Sequence, residues 1–174
     1  MCPTMTASSR PLRVAVVGAG QCDEETAAKA EAVGRTIAEA GAWLVCGGGG
    51  GVMEAASRGA REAGGRTIGL LPGEDLGAAN PWIEVAIATG LGEARNLLVV
   101  RNADAVIAVG GEWGTLSEIA LARKIGRPVV LLGSWSLTDP QGRPAELPAV
   151  DSAEEAVRQA LAATRLGEQA EPDL

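Results

Sequence analysis

The sequence predicts one doubly wound α/β domain, a single mainly parallel sheet with helices on both faces. Three observations lead there. Short aliphatic runs alternate with helix-like runs along the chain, the pattern of strands joined by crossover helices. The strand runs at 14–17, 42–46 and 105–109 are apolar throughout, as strands buried on both faces are. Twice a strand run breaks into glycines and reopens as a helix, at Gly47 to Gly51 and at Gly110 to Thr115. The architecture is Rossmann-like, with right-handed crossovers and ligand-binding loops gathered at the carboxyl ends of the strands.

Taken in order, residues 12–17 are β-branched and stop at Gly18, so they form a first buried strand. Asp23 is an expected N-cap for a helix to Ala40, with Ala30, Val33 and Ile37 on one face, and Gly41 closes it. A strand over 42–46 meets Gly47, Gly48, Gly49, Gly50 and Gly51, and a helix follows over 52–63. A third strand at 66–71 stops at Pro72-Gly73, and residues 74–81 form a surface loop. Strands at 82–87, 105–109 and 128–132 alternate with helices at 93–102 and 115–125, which makes six strands. Four prolines and glycines between 133 and 150 indicate loop, and Asp151-Ser152-Ala153-Glu154 has the form of a capping box opening a last helix. Residues 1–10 and 167–174 are expected to be disordered tails around one domain at 11–166.

Composition narrows the partners. The chain has 174 residues, 47% hydrophobic and 21% charged, with no Phe, no Tyr and four Trp, so small aliphatic side chains fill the core of a soluble protein. Its net charge of −7, with no basic run, argues against nucleic acid and anionic membranes. Three cysteines form no CxxC pair and there is no His, so no metal site and no His-based triad is expected, and a reduced cytoplasmic setting fits. Neither a signal peptide nor a membrane span is legible.

Each glycine turn between a strand and a helix exposes unpaired amides where the helix dipole favours negative charge. The expected ligand contacts are therefore Gly47 to Gly51 on one loop and Gly110, Gly111, Gly114 and Thr115 on the other, with a phosphorylated ligand between them. Gly18-Ala19-Gly20 adds Gly18 to the candidates. It is a poor dinucleotide fingerprint, because Asp23 stands at the third glycine and no carboxylate follows the second strand. Arg95, in a first helical turn, is easier to understand if it serves an anion, and Trp113 can stack on a heterocycle or simply pack.

Gly47 to Met53, followed by Gly64-Gly65-Arg66-Thr67-Ile68-Gly69-Leu70-Leu71-Pro72, resembles the paired glycine signature of the Lonely-Guy family, long labelled lysine-decarboxylase-like. Gly114-Thr115-Leu116-Ser117-Glu118 is similar to the GTxxE half of that family's second motif, and Arg95 matches its active-site arginine. The resemblance implies a phosphoribohydrolase that cleaves the N-glycosidic bond of a nucleoside 5′-monophosphate without a cofactor. In that activity Arg95 would hold the phosphate and Glu118 would be catalytic. Two residues depart from the pattern: Glu112 stands where a glycine of the phosphate cradle belongs, and Asn96 where a basic residue follows the arginine. Together with Trp113 they make the stretch more similar to the molybdenum-cofactor carrier proteins of the same superfamily. That branch implies binding of a nucleotide or molybdopterin-type ligand by a homo-oligomer, dimer or tetramer, with no catalytic step. The carrier reading is preferred here, and the hydrolase is the alternative.

Overall fold

The computed structural model describes residues 10–168. Seven parallel strands form one sheet in the order β4-β3-β2-β1-β5-β6-β7. They are β1 (Arg13–Gly18), β2 (Trp43–Cys46), β3 (Thr67–Leu71), β4 (Val85–Ala88), β5 (Ala105–Val109), β6 (Val129–Leu132) and β7 (Ala149–Val150). Helices α1 (Glu24–Glu39), α2 (Val52–Glu62) and α5 (Ala153–Glu168) pack on one face, and α3 (Arg95–Arg101) and α4 (Trp113–Lys124) on the other. Alternate residues of β1 divide between the two cores: Val14 and Val16 meet α1 and α2, while Ala15 and Val17 meet α3 and α4. All four are buried, which is why the strand reads as a continuous apolar run.

Four details differ from the sequence expectations. A seventh strand, β7, lies in the stretch expected to be loop, pairing Ala149 with Leu131 and Val150 with Leu132. Its proline-rich approach suits a sheet edge, where no neighbour asks for the missing N–H, and the Pro148 carbonyl still accepts from Leu131. The fourth strand begins at Val85 instead of Trp82, because side chains hold the preceding backbone. Thr67 Oγ1 donates to the Trp82 carbonyl and accepts from the Glu84 amide, and Asn80 Oδ1 accepts from the Trp82 amide. Ser152, not Asp151, caps α5, its hydroxyl accepting from the Glu155 amide. The helix over 93–102 opens as a 3-10 turn at Gly92–Ala94 and becomes α-helical only at Arg95.

At the chain ends, residues 1–9 and 169–174 of the expected tails lie outside the described residues. Arg10 is anchored by a two-pronged ion pair to Asp104, at 2.7 and 2.6 Å, and α5 continues to Glu168. No helix among the described residues is long and apolar enough to cross a membrane.

Small residues let α1 lie close against α2. A methyl group at Gly34 would run into the Ala56 carbonyl, and one at Gly59 into the Glu31 carbonyl. Glycine to alanine inside an exposed helix is worth a gain of about 1 kcal/mol. At Gly34 the sign should reverse, since overpacking costs about 1–3 kcal/mol and here it meets backbone, not a movable side chain. Urea unfolding of Gly34→Ala should therefore show a lowered midpoint, while Gly73→Ala, where a methyl meets open space, should stay near the parent. A stabilised Gly34→Ala would contradict the close crossing.

Candidate functional site

The strand order reverses its direction between β1 and β5, and open α/β sheets bind ligands at such a reversal. Gly18 and Val109 are register partners at the carboxyl ends of these strands, and a cleft of ≈130 Å³ opens directly beyond them. Gly18, Ala19 and Gly20 line it from the turn after β1, and Met53 from the first turn of α2. Arg95 and Asn96 enter from the start of α3, and Glu112, Gly114, Thr115 and Glu118 from α4 and its cap.

None of Gly47 to Gly51, expected to touch the ligand, lines the cleft; their loop lies behind Arg95 and Met53. A side chain at Gly47 would collide with the Arg95 guanidinium and would lie 2.8 Å from the Met53 sulfur. Gly51 combines a φ of +60° with a position where a methyl would strike the Ala19 carbonyl, so only glycine fits there. The loop is tied on every side. The Gly48 amide donates to Cys46 Sγ at 3.3 Å, and the Val52 amide to the Ala19 carbonyl at 3.1 Å. Asn80 Nδ2 donates to the Gly49 carbonyl at 2.8 Å, while its own amide donates to the Gly48 carbonyl. Burial pushes the Cys46 thiol up, and it packs beside Ser57 as a small core residue.

Arg95 is the unusual member of the cleft. Its Nε is buried without a partner, and among the described residues its guanidinium makes no hydrogen bond. Buried donors of this kind are normally satisfied, and the geometry leaves the Arg95 Nε able to receive an oxyanion. Glu118, only 7% exposed, stands near enough for the two charges to interact. Burial raises its carboxyl from 4.5 to about 7, and Arg95 restrains the rise. A carboxyl of that acidity next to a cation can give or take a proton near neutral pH.

Two neighbouring side chains are occupied internally. Asn96 Nδ2 donates to Ser117 Oγ at 2.9 Å, and Ser117 in turn donates to the Gly114 carbonyl, which locks the first turns of α3 and α4 together. Thr115, 2% exposed, accepts from the Glu112 amide at the start of α4.

The remaining candidates do not line the same cleft. Gly110 and Gly111 border a separate hollow of ≈410 Å³, shared with Gly133, Ser134 and Trp135 from the turn after β6. Gly110 takes a φ of +57°, and its amide donates to the Leu132 carbonyl, which fixes the two turns side by side. Trp113, 77% exposed, rests against Trp135 with ring centroids 5.4 Å apart. Another hollow, ≈470 Å³ between the end of α4 and α5, lies at the opposite, amino ends of the strands, away from the strand-to-helix glycine turns, and is not part of the site. Sequence reasoning missed Met53, Asn80, Ser134 and Trp135. The Asn80-Pro81 pair signalled only a turn, and Ser134 and Trp135 sit in a stretch whose prolines masked them.

Comparison with known proteins adds the following. The family model described as LDcluster4, SLOG cluster4 family, matches residues 11–165. An uncharacterised protein of Archaeoglobus fulgidus is 48% identical over 122 residues, 70% of this chain and 80% of that one. The molybdenum cofactor binding protein of the phototrophic bacterium Rippkaea orientalis is 35% identical with a TM-score of 0.80, covering 90% of this chain and 99% of its own. The molybdenum cofactor carrier protein of Chlamydomonas reinhardtii is 34% identical with a TM-score of 0.73, covering 88% and 99%.

Proposed function

The chain belongs to the SLOG cluster4 family of the Lonely-Guy-like superfamily, and from that membership we propose a binding or carrier protein for a phosphorylated heterocycle, nucleotide or molybdenum cofactor. The observation that carries the reading is Arg95, whose buried Nε has no partner and whose guanidinium is backed by Gly47 in the switch-point cleft. An anionic phosphate supplies the acceptor it lacks. The structural neighbours, whose cargo is the molybdenum cofactor, support the same reading. We place the protein in the cytoplasm as a homo-oligomer, for which the exposed apolar side chains Leu76, Val85, Ile87 and Leu91 offer contact surface.

A phosphoribohydrolase is the second reading, favoured by one observation: Glu118, with its carboxyl raised to about 7, shares the cleft with Arg95. Against it, Arg95 is the one cationic side chain among the cleft-lining residues described, facing both Glu112 and Glu118, and Asn96 is committed to Ser117. The cleft therefore lacks the second cation that the hydrolase pattern places after the arginine, where Asn96 stands here.

The test is native mass spectrometry of the protein as purified, followed by incubation with nucleoside 5′-monophosphates while free base is followed by chromatography. A co-purified phosphorylated heterocycle without base release is the expected result. Base release that Glu118→Gln abolishes would establish the hydrolase instead.

A further inference from the structure

We infer that the hollow beside the cleft is a ring compartment, in which Trp113, Ser134 and Trp135 receive a planar heterocycle carrying a hydrogen-bond acceptor. This rests on the proposed phosphate reading and extends it to the other end of the ligand. The first reason is size. A cleft of ≈130 Å³ has room for a phosphate and little more, whereas sites for small organic ligands run to roughly 300–1,000 Å³. The adjoining hollow, at ≈410 Å³, has the missing volume. Both draw on the turn after β5: Gly110 and Gly111 border one and Glu112 and Gly114 the other, and no side chain stands at 110 or 111 between them.

The second reason is polarity. Ser134 Oγ and Trp135 Nε1 are both buried and both without a partner. They are consecutive residues, and both line this hollow. Orphaned buried donors are rare in folded proteins, and two side by side at one wall call for an acceptor from outside the chain. A carbonyl oxygen or ring nitrogen of a heterocycle supplies it.

The third reason is the aromatic surface. In a chain with four Trp and no other aromatic, two of them meet here. Trp113 is 77% exposed and tilted 42° to Trp135, so it has room to swing aside and close again over an inserted ring. Trp135 is fixed, packed against the core under α3 and α4. A planar bicyclic ring with a carbonyl, the chemistry shared by guanine and pterins, meets all three demands.

The experiment uses three probes: GMP, ribose 5-phosphate, and 6-hydroxymethylpterin, which has a ring but no phosphate. Binding is measured by calorimetry to the parent, Trp113→Ala, Ser134→Ala and Arg95→Ala, and the indole N–H resonance of Trp135 is followed by NMR. Trp113→Ala alters a mostly exposed side chain and Ser134→Ala removes one atom, so both variants should fold, as circular dichroism will show. The expected result is a GMP affinity at least tenfold lower in each, with ribose 5-phosphate unchanged within twofold. The Trp135 resonance should move with GMP and the pterin and stay still with ribose 5-phosphate. GMP binding that Arg95→Ala destroys but Trp113→Ala and Ser134→Ala leave intact would overturn the ring compartment and leave the phosphate reading standing. A pterin that shifts Trp135 while Arg95→Ala changes nothing for any probe would do the reverse. Failure of all three probes to bind overturns both.

Discussion

Arg95→Ala is expected to weaken binding of a phosphate monoester ten- to hundredfold, whatever ring the ligand carries. A hydrogen bond to a charged group is worth about 1.5–3 kcal/mol, and half-buried Arg95, whose buried Nε has no hydrogen-bond partner, has no competing hydrogen bond to give up when the ligand arrives. Arg95→Lys should recover little of the loss, because an ammonium offers neither the planar fork nor a donor at the Nε position. Gly47→Ala gives an independent check that keeps the charge: its methyl occupies the space of the guanidinium and pushes Arg95 out of place. Calorimetry with ribose 5-phosphate should show both variants weakened. Undiminished affinity in Arg95→Ala would remove the phosphate from this cleft.

Glu118→Gln should stabilise the protein above neutral pH and leave it unchanged in acid. Burial lifts the Glu118 carboxyl from 4.5 to about 7, so the folded chain keeps its proton over a range in which the unfolded chain has lost it. Folding then takes up a proton, and stability falls as pH rises from about 4.5 through 7. At about 1.4 kcal/mol per pH unit, the cost carried by the ionised carboxylate is on the order of 3 kcal/mol at pH 8. Glutamine has the same shape and never ionises, so the variant lacks that penalty. Denaturant midpoints of parent and variant should coincide near pH 4.5 and separate progressively up to pH 8. A constant difference across that range would mean that Glu118 does not titrate in it. A residue that costs stability where the cell operates is easiest to understand as one kept for the site.

The strand-to-helix units were readable because their signals are local. Val14 to Val17, or Ala105 to Val109, announce buried strands by composition alone, and a glycine run behind each strand announces a turn. β7 was not readable, since two residues carry no periodicity and its assignment depends on hydrogen bonds to β6, more than a dozen residues away. The same limit applies to the site. Arg95 and the glycines could be named in advance from motif and chemistry, but no spacing rule says that Gly110 and Gly111 face one hollow while Gly114 and Glu118 face another. Asn80 was hidden for a related reason: its side chain acts on the backbone of Gly48 and Gly49, and such long-range bonds leave no mark in the sequence around it.

Five consecutive glycines would, in a free chain, be the floppiest stretch of this protein, and Asn80, Cys46 and Ala19 hold them still. The ordering entropy of that loop is therefore spent when the chain folds and not again when a ligand associates. An arriving molecule meets a surface already shaped for it, and a departing one waits for no flap of backbone to lift. Residence time is then governed by the contacts of a few side chains, with Arg95 foremost, while the scaffold keeps its shape.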